Sequence, residues 1–323
     1  MTDRPVSPFR LGTRGSVLAQ RQTTLVAEAL RRVHPTLEIE VRIITTLGDR
    51  VTHVPLPEMV ETGGGQGVFT SALEEALLAG EIDAAVHSLK DMPTILISGT
   101  VIGAVLEREN PADALISRHG LALAALPEGA AVGTSSRRRA AQLLRVRPDL
   151  RLRDVRGNVD TRIQKALDAD GGYDAIILAM AGLSRLGRLE AVTEILPLEV
   201  MLPAPGQAAV AVQCHSDSAW GDLLAGVSHA GTEIAVTAER AFLRGLGGGC
   251  ALPIAAYGHY DGGQLALHGR VLSPDGRQQI EAQQVFPISP DTSDRTQQAE
   301  AAGLMLADRM LESGAAELLE TTS

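Results

Sequence analysis

Aromatic side chains make up only 2% of this 323-residue chain, so its cores must be built from Leu, Val, Ile and Ala. Cysteine is nearly absent as well. Cys214 and Cys250 are the only two, too few for a disulfide framework or a zinc-binding pattern. Nowhere do about 18 consecutive apolar residues occur, as a membrane span requires, and the start "MTDRPVSPFRLGTRGS" lacks the apolar run of a signal peptide. These absences lead to the expectation of a cytoplasmic protein with reduced thiols and no membrane partner. A net charge of −10 argues against general nucleic-acid binding, which depends on broad positive surfaces.

What is present is a globular composition, 45% hydrophobic and 21% charged, long enough for two or three domains. The charge is uneven. Between 137 and 162, nine arginines stand against three aspartates, nine minus three leaving six positive charges in excess. Arginine grips carboxylate or phosphate through a planar fork, so a small polyanion is a better match than a solvated face for those arginines that lie in loops.

The first third alternates strand and helix. "FRLGT" (9–13) reads as a strand, 16–33 as an amphipathic helix capped by Ser16, and 38–47 and 82–89 as further strands. Strand, loop and helix recur at 130–148, 150–168 and 173–187, predicting mainly parallel sheets with ligands at the strand carboxyl ends. The strand at 208–214 has no large helix of its own, which suggests that the chain returns to the first sheet. Beyond it, a helix at 233–246, three strands between 252 and 286 and a helix at 294–312 predict a small α+β domain.

Three strand-to-helix junctions, "GTRGS" (12–16), "GTSSRRR" (133–139) and "RGNVDTR" (156–162), combine glycine, a hydroxyl or amide, and arginine. Unpaired N–H groups at helix starts favour anions. Ser and Thr there are also ordinary caps, so it is the repetition that points to an anion site. In "AAVHSLKDMPT" (84–94), Asp91 beside Lys90 is either a surface ion pair or a general acid/base at a strand end. His87 reads as a structural hydrogen-bonder, and no metal site is expected. "GGGQGVF" (63–69) lacks the ending of a phosphate loop and reads as a lid through Gly65, Gln66 and Gly67. Cys214 reads as a core residue. Cys250 follows three glycines in "GLGGGCALP", where a thiol is open to a bulky group. A covalent tether, a nucleophile and an incidental loop cysteine are all compatible with that setting.

Taken in order, "GTRGSVLAQRQ", "GGGQGVF", "AAVHSLKDMP", "GTSSRRRAAQL", "RGNVDTR", "LAMAGLSRLG", "LPAPGQAAVAVQC" and "ERAFLRGLGGGCALPIAAYG" resemble the hydroxymethylbilane synthase (porphobilinogen deaminase) family across almost the whole chain. The resemblance implies an α/β fold of three domains. Two are similar to the lobes of type II periplasmic binding proteins, with the active cleft between them, and the third is a small C-terminal α+β domain. The expected bounds are 1–106 plus 203–228, then 107–202, then 229–323. It also implies a monomer that adds four porphobilinogen units, with loss of ammonia, to a dipyrromethane cofactor held as a thioether on Cys250. Water then releases linear 1-hydroxymethylbilane.

By match to the family motifs, Asp91 is catalytic, stabilising the cation left when ammonia departs. Ser88, Lys90, Asp91, Ser136, Arg138, Arg139 and Arg156 contact the cofactor, and Arg14, Ser16, Arg156, Arg162 and Arg185 contact the substrate. The chain departs from the family pattern at Gln66, where lysine is common, at Ala208 in "GQAA" for the usual "GQGA", at Arg137 and at His215. The rival classes are a two-lobed anion-binding module, which leaves the glycine–cysteine loop unexplained, and an inactive paralogue, which would not need both Cys250 and Asp91.

Overall fold

The computed structural model describes residues 8–45, 71–248, 252–289 and 294–320. Gly65, Gln66, Gly67 and Cys250 lie outside the described residues. The chain forms two compact units, one of Met1–Arg108 with Ala209–Glu233 and one of Glu109–Ala208 with Ile234–Ser323.

The first unit holds a five-stranded sheet, β1 (Phe9–Arg14), β2 (Ile39–Ile44), β3 (Ala84–Ser88), β4 (Thr100–Val105) and β10 (Val210–His215), in the order β2-β1-β3-β10-β4. Helix α1 (Val17–Val33) begins where Ser16 Oγ accepts the Ala19 N–H at 3.3 Å, the expected N-cap. It buries Val26, Ala27 and Leu30, one face at helical spacing. Alternate strand residues separate two packing layers. Phe9, Leu11, Ala84, Val86, Val210, Val212 and Cys214 join one core, while Ala85 packs with Leu73, Ala76 and Leu77 of α2 (Ser71–Leu78) on the other. Phe9 meets Trp220 at 4.8 Å between ring centroids. Cys214 is buried, and that burial pushes its thiol pKa up.

The second unit holds β5 (Asp113–Ser117), β6 (Ala131–Gly133), β7 (Arg151–Arg153), β8 (Ala175–Ala179) and β9 (Glu194–Ile195), ordered β7-β6-β8-β5-β9. Helices α3 (Arg137–Val146), α4 (Val159–Leu167) and α5 (Met180–Arg185) follow β6, β7 and β8. Both faces of this sheet are covered, so its central strands are continuous apolar runs. Leu115 and Ile177 enter one core, and Ala114, Ile116, Ile176 and Leu178 the opposite one. The sheets are mixed rather than mainly parallel: in each, two of four neighbouring pairs are antiparallel. β10 and β5 enter without a crossover helix of their own, and only a crossover would have forced parallel pairing.

After the short α6 (Gly221–Ala225) comes α7 (Ala230–Gly245). It packs with α8 (Arg295–Glu312) and α9 (Ala315–Glu320) on an antiparallel sheet of β11 (Ile254–Asp261), β12 (Gln264–Leu272) and β13 (Gln279–Pro287). Phe242 is the centre of this core, and Gly269 leaves it room, since a Cβ there would sit 2.5 Å from the Phe242 ring. Buried Glu239 of α7 accepts the Gly206 and Gly258 N–H groups at 2.7 Å each, tying the 202–207 segment to β11. Among the described residues no helix is long and apolar enough to cross a membrane, and no cluster of His, Cys, Asp or Glu is placed to hold a metal.

Candidate active site

In the first unit the carboxyl ends of parallel β1 and β3 bring Arg14, Ser16, Ser88, Lys90 and Asp91 to one edge of the sheet. Arg14 ends β1, half-buried, and Ser16 caps the helix that follows. A short 3-10 turn, Leu89–Asp91, buries Leu89 and leaves Asp91 exposed. Ser88 is held by the last residue of "GTRGSVLAQRQ", to which the motif itself assigned no role. Gln22 of α1, 3% exposed, donates Nε2 to Ser88 Oγ at 2.8 Å, and Ser88 Oγ donates back to Gln22 Oε1 at 3.2 Å. Its signal in the sequence was a polar residue on the apolar face of α1. His87 is enclosed, and burial pushes its imidazole down to about 4; the Arg14 charge adds to this and Gln213 opposes it.

In the second unit the carboxyl ends of β6, β7 and β8 form a comparable edge. Ser136 caps α3, accepting the Arg139 N–H at 3.4 Å, and Asn158 caps α4. Arg137, Arg138 and Arg139 occupy the first turn of α3, where the helix dipole disfavours cations by about 0.3–1 kcal/mol each. A local rule broken in this way needs compensation, and Asp113 supplies it. β5 runs antiparallel to β8, so its first residue, Asp113, pairs with Ala179 and arrives at the same edge. Fully buried, Asp113 accepts Arg138 Nη2 on Oδ2 and Arg139 Nη2 on Oδ1, both at 2.7 Å, and Gln207 Nε2 on Oδ1 at 3.0 Å. Arg138 Nη1 also donates to the Leu202 carbonyl at 2.6 Å, and Arg139 Nη1 to Ile177 at 3.1 Å. Burial works to raise the Asp113 pKa, but the two guanidiniums outweigh it and hold the carboxyl well below the usual carboxylate range. Burial likewise lowers Arg138, opposed by Asp113.

Two cations share one carboxylate here, and Nε of Arg138 and of Arg139 has no hydrogen-bond partner among the described residues. The pair therefore keeps one buried positive charge beyond what Asp113 neutralises. Arg156 and Arg162 flank the start of α4, both half-buried, and Arg162 Nε donates to the Gly157 carbonyl at 2.8 Å. Arg185, the last residue of α5, donates Nη2 to the Ala208 carbonyl at 2.5 Å; burial lowers its pKa and Glu109 opposes this. Ala208 itself has φ +72°, a left-handed conformation that favours glycine.

The family model for porphobilinogen deaminase, dipyromethane cofactor binding domain, matches residues 9–220, and that for the porphobilinogen deaminase C-terminal domain matches 233–312. Porphobilinogen deaminase from Thermobifida fusca is 46% identical over 97% of this chain and 96% of its own. That from Pelotomaculum thermopropionicum is 45% identical over 96% of this chain and 95% of its own. Among solved structures, the periplasmic aliphatic sulphonate binding protein SsuA from Escherichia coli aligns over 98% of this chain and 92% of its own, at 15% identity and a TM-score of 0.38. The chain belongs to the porphobilinogen deaminase family, the hydroxymethylbilane synthases: transferases of tetrapyrrole synthesis that act on porphobilinogen and carry a covalent dipyrromethane.

Proposed function

We propose that Asp91 is the catalytic carboxylate of this chain's hydroxymethylbilane synthase reaction and that Cys250 anchors its cofactor. Ser88, Lys90, Ser136, Arg138, Arg139 and Arg156 hold the cofactor, and Arg14, Ser16, Arg156, Arg162 and Arg185 hold porphobilinogen. The carrying observation is the buried arginine pair, which shares Asp113 and keeps one positive charge for a carboxylate. The dipyrromethane, when bound, supplies the free pyrrole α-carbon to which the first unit is joined. Positive charge develops on porphobilinogen as ammonia leaves, and an exposed carboxylate at the end of β3 stabilises that charge. Gln22 holds the Ser88 hydroxyl in one orientation beside it.

The three-domain division, at 1–106 plus 203–228, 107–202 and 229–323, and a lid at Gly65, Gln66 and Gly67 belong to the same reading. So do a monomeric state, a cytoplasmic location and the absence of a nucleic-acid partner.

Intact-mass measurement tests the anchor: wild type should carry the added mass of a dipyrromethane and Cys250→Ser none. An unmodified, fully active wild type refutes it. Asp91→Asn should fold yet turn over about 10²–10³-fold more slowly, the usual loss for a charge-stabilising group. A near-normal rate would remove Asp91 from its role.

A further inference from the structure

Arg270 stands in β12 with only 5% of its surface exposed. Its Nη1 donates to Gln142 Oε1 at 2.7 Å, while Nη2 donates to the Glu199 carbonyl at 2.9 Å and to Glu281 Oε1 at 2.8 Å. Gln142, on α3 and 1% exposed, accepts the Leu202 N–H at 2.9 Å and donates Nε2 to the Leu202 carbonyl at 3.0 Å. That same carbonyl receives Arg138 Nη1 at 2.6 Å. One glutamine and one carbonyl thus connect the C-terminal sheet to the arginine pair, with every intermediate group enclosed.

A second contact falls on the same helix. Gly276, in the turn between β12 and β13 with φ +71°, lies so close to α3 that a Cβ there would stand 2.4 Å from the Ala141 carbonyl oxygen and 2.7 Å from Arg145 N. The turn therefore rests on the helix backbone itself, beside the residue that Arg270 grips.

We propose that Arg270 is a positioning residue for the deaminase reaction: acting through Gln142, it braces α3 against the C-terminal sheet and so fixes where Arg138 and Arg139 meet the carboxylates of their ligand. An apolar side chain of similar volume would pack there as well or better, since burying a guanidinium is costly. What the guanidinium adds is direction, its rigid fork addressing acceptors on three separate segments. Glu281 on β13 supplies the counter-charge, with its carboxyl lowered by Arg270 and His268 against the opposing effect of burial. The inference rests on the reading that the arginine pair holds the dipyrromethane.

The test uses the full-length chain produced without its cofactor, mixed with porphobilinogen, and follows the covalent adduct by intact mass alongside the unfolding midpoint. Arg270→Met should load about tenfold more slowly per folded molecule, the weight of one charge-assisted hydrogen bond. Arg270→Lys should fall between it and wild type, and carries the comparison if the methionine variant does not fold. Glu281→Gln, which keeps an acceptor for Nη2 but removes the counter-charge, should likewise load at a rate between that of Arg270→Met and wild type. Loading by Arg270→Met at the wild-type rate, or reduced only in proportion to its folded fraction, overturns the brace. In the Cys250→Ser background, where no adduct forms, Arg270→Met should shrink the rise in unfolding temperature that a free dipyrromethane bearing acetate and propionate groups produces, and an undiminished rise also overturns the brace. A wild type that never gains the adduct refutes the anchoring reading instead, and this second measurement then decides the brace by itself.

Discussion

Replacing Asp113 with asparagine should be among the most damaging single changes in the second unit. Its carboxylate is fully buried and meets two guanidiniums at 2.7 Å, one on each oxygen. Taking charge centres about 4 Å apart and an effective dielectric of about 20, each attraction is worth about 4 kcal/mol and the two together about 8. Asparagine avoids the desolvation of a carboxylate, which returns several kcal/mol and brings the net loss to about 4. The asparagine oxygen can still serve Arg139 and Gln207, but its amide then points N–H groups at Arg138, donor against donor. Urea unfolding is the assay. With an m value of about 3 kcal/mol/M, the midpoint should fall by about 1 M at unchanged slope. Asp160→Asn serves as control, because it breaks a well-exposed pair with Arg188 and should barely move the midpoint. If Asp113→Asn unfolds at the wild-type midpoint, the buried pair does not depend on this carboxylate. The pH dependence follows the same sign. A depressed carboxylate contributes its stability above the unfolded-state value near 4, and loses it only as pH falls through the still lower folded-state value.

Two further perturbations report on the same framework. His87, held near 4 against an ordinary value of 6.5, binds more protons when unfolded, so the fold should lose stability as pH falls from about 6.5 to about 4. His87→Gln should flatten that limb in urea titrations at stepped pH; an unchanged limb would exclude His87 as its source. Ala208→Gly should change stability by no more than about 1 kcal/mol, since relief of left-handed strain is offset by unfolded-chain entropy and a lost buried methyl. Ala208→Val adds a β-branched side chain at φ +72° and should cost about 2 kcal/mol. Equal midpoints for the two variants would show that the left-handed backbone is not maintained.

Local rules reach a long way into this chain. The Ser16 cap, the apolar face of α1, the strands ending in Arg14 and Ser88, and the helices opened by Ser136 and Asn158 are short-range features, set by periodicity and capping within a few residues. The glycine–cysteine loop and "HSLKDMP" carry the family in their spacing, although the structure describes only the second of them. Strand direction was beyond such rules. β10 and β5 pair antiparallel because of where distant segments deliver them, which no local pattern encodes.

The same holds for the partners of the charged groups. Asp113 looks like one more aspartate in "NPADAL", and Arg270 like one more arginine in a strand. Only tertiary structure sets Asp113 between two arginines and Arg270 against Gln142, at sequence separations of 25, 26 and 128. Side-chain chemistry specified which residues could grip a carboxylate. Burial decided which of them are oriented to do so, because a buried charge is tolerated only where other segments of the chain meet it.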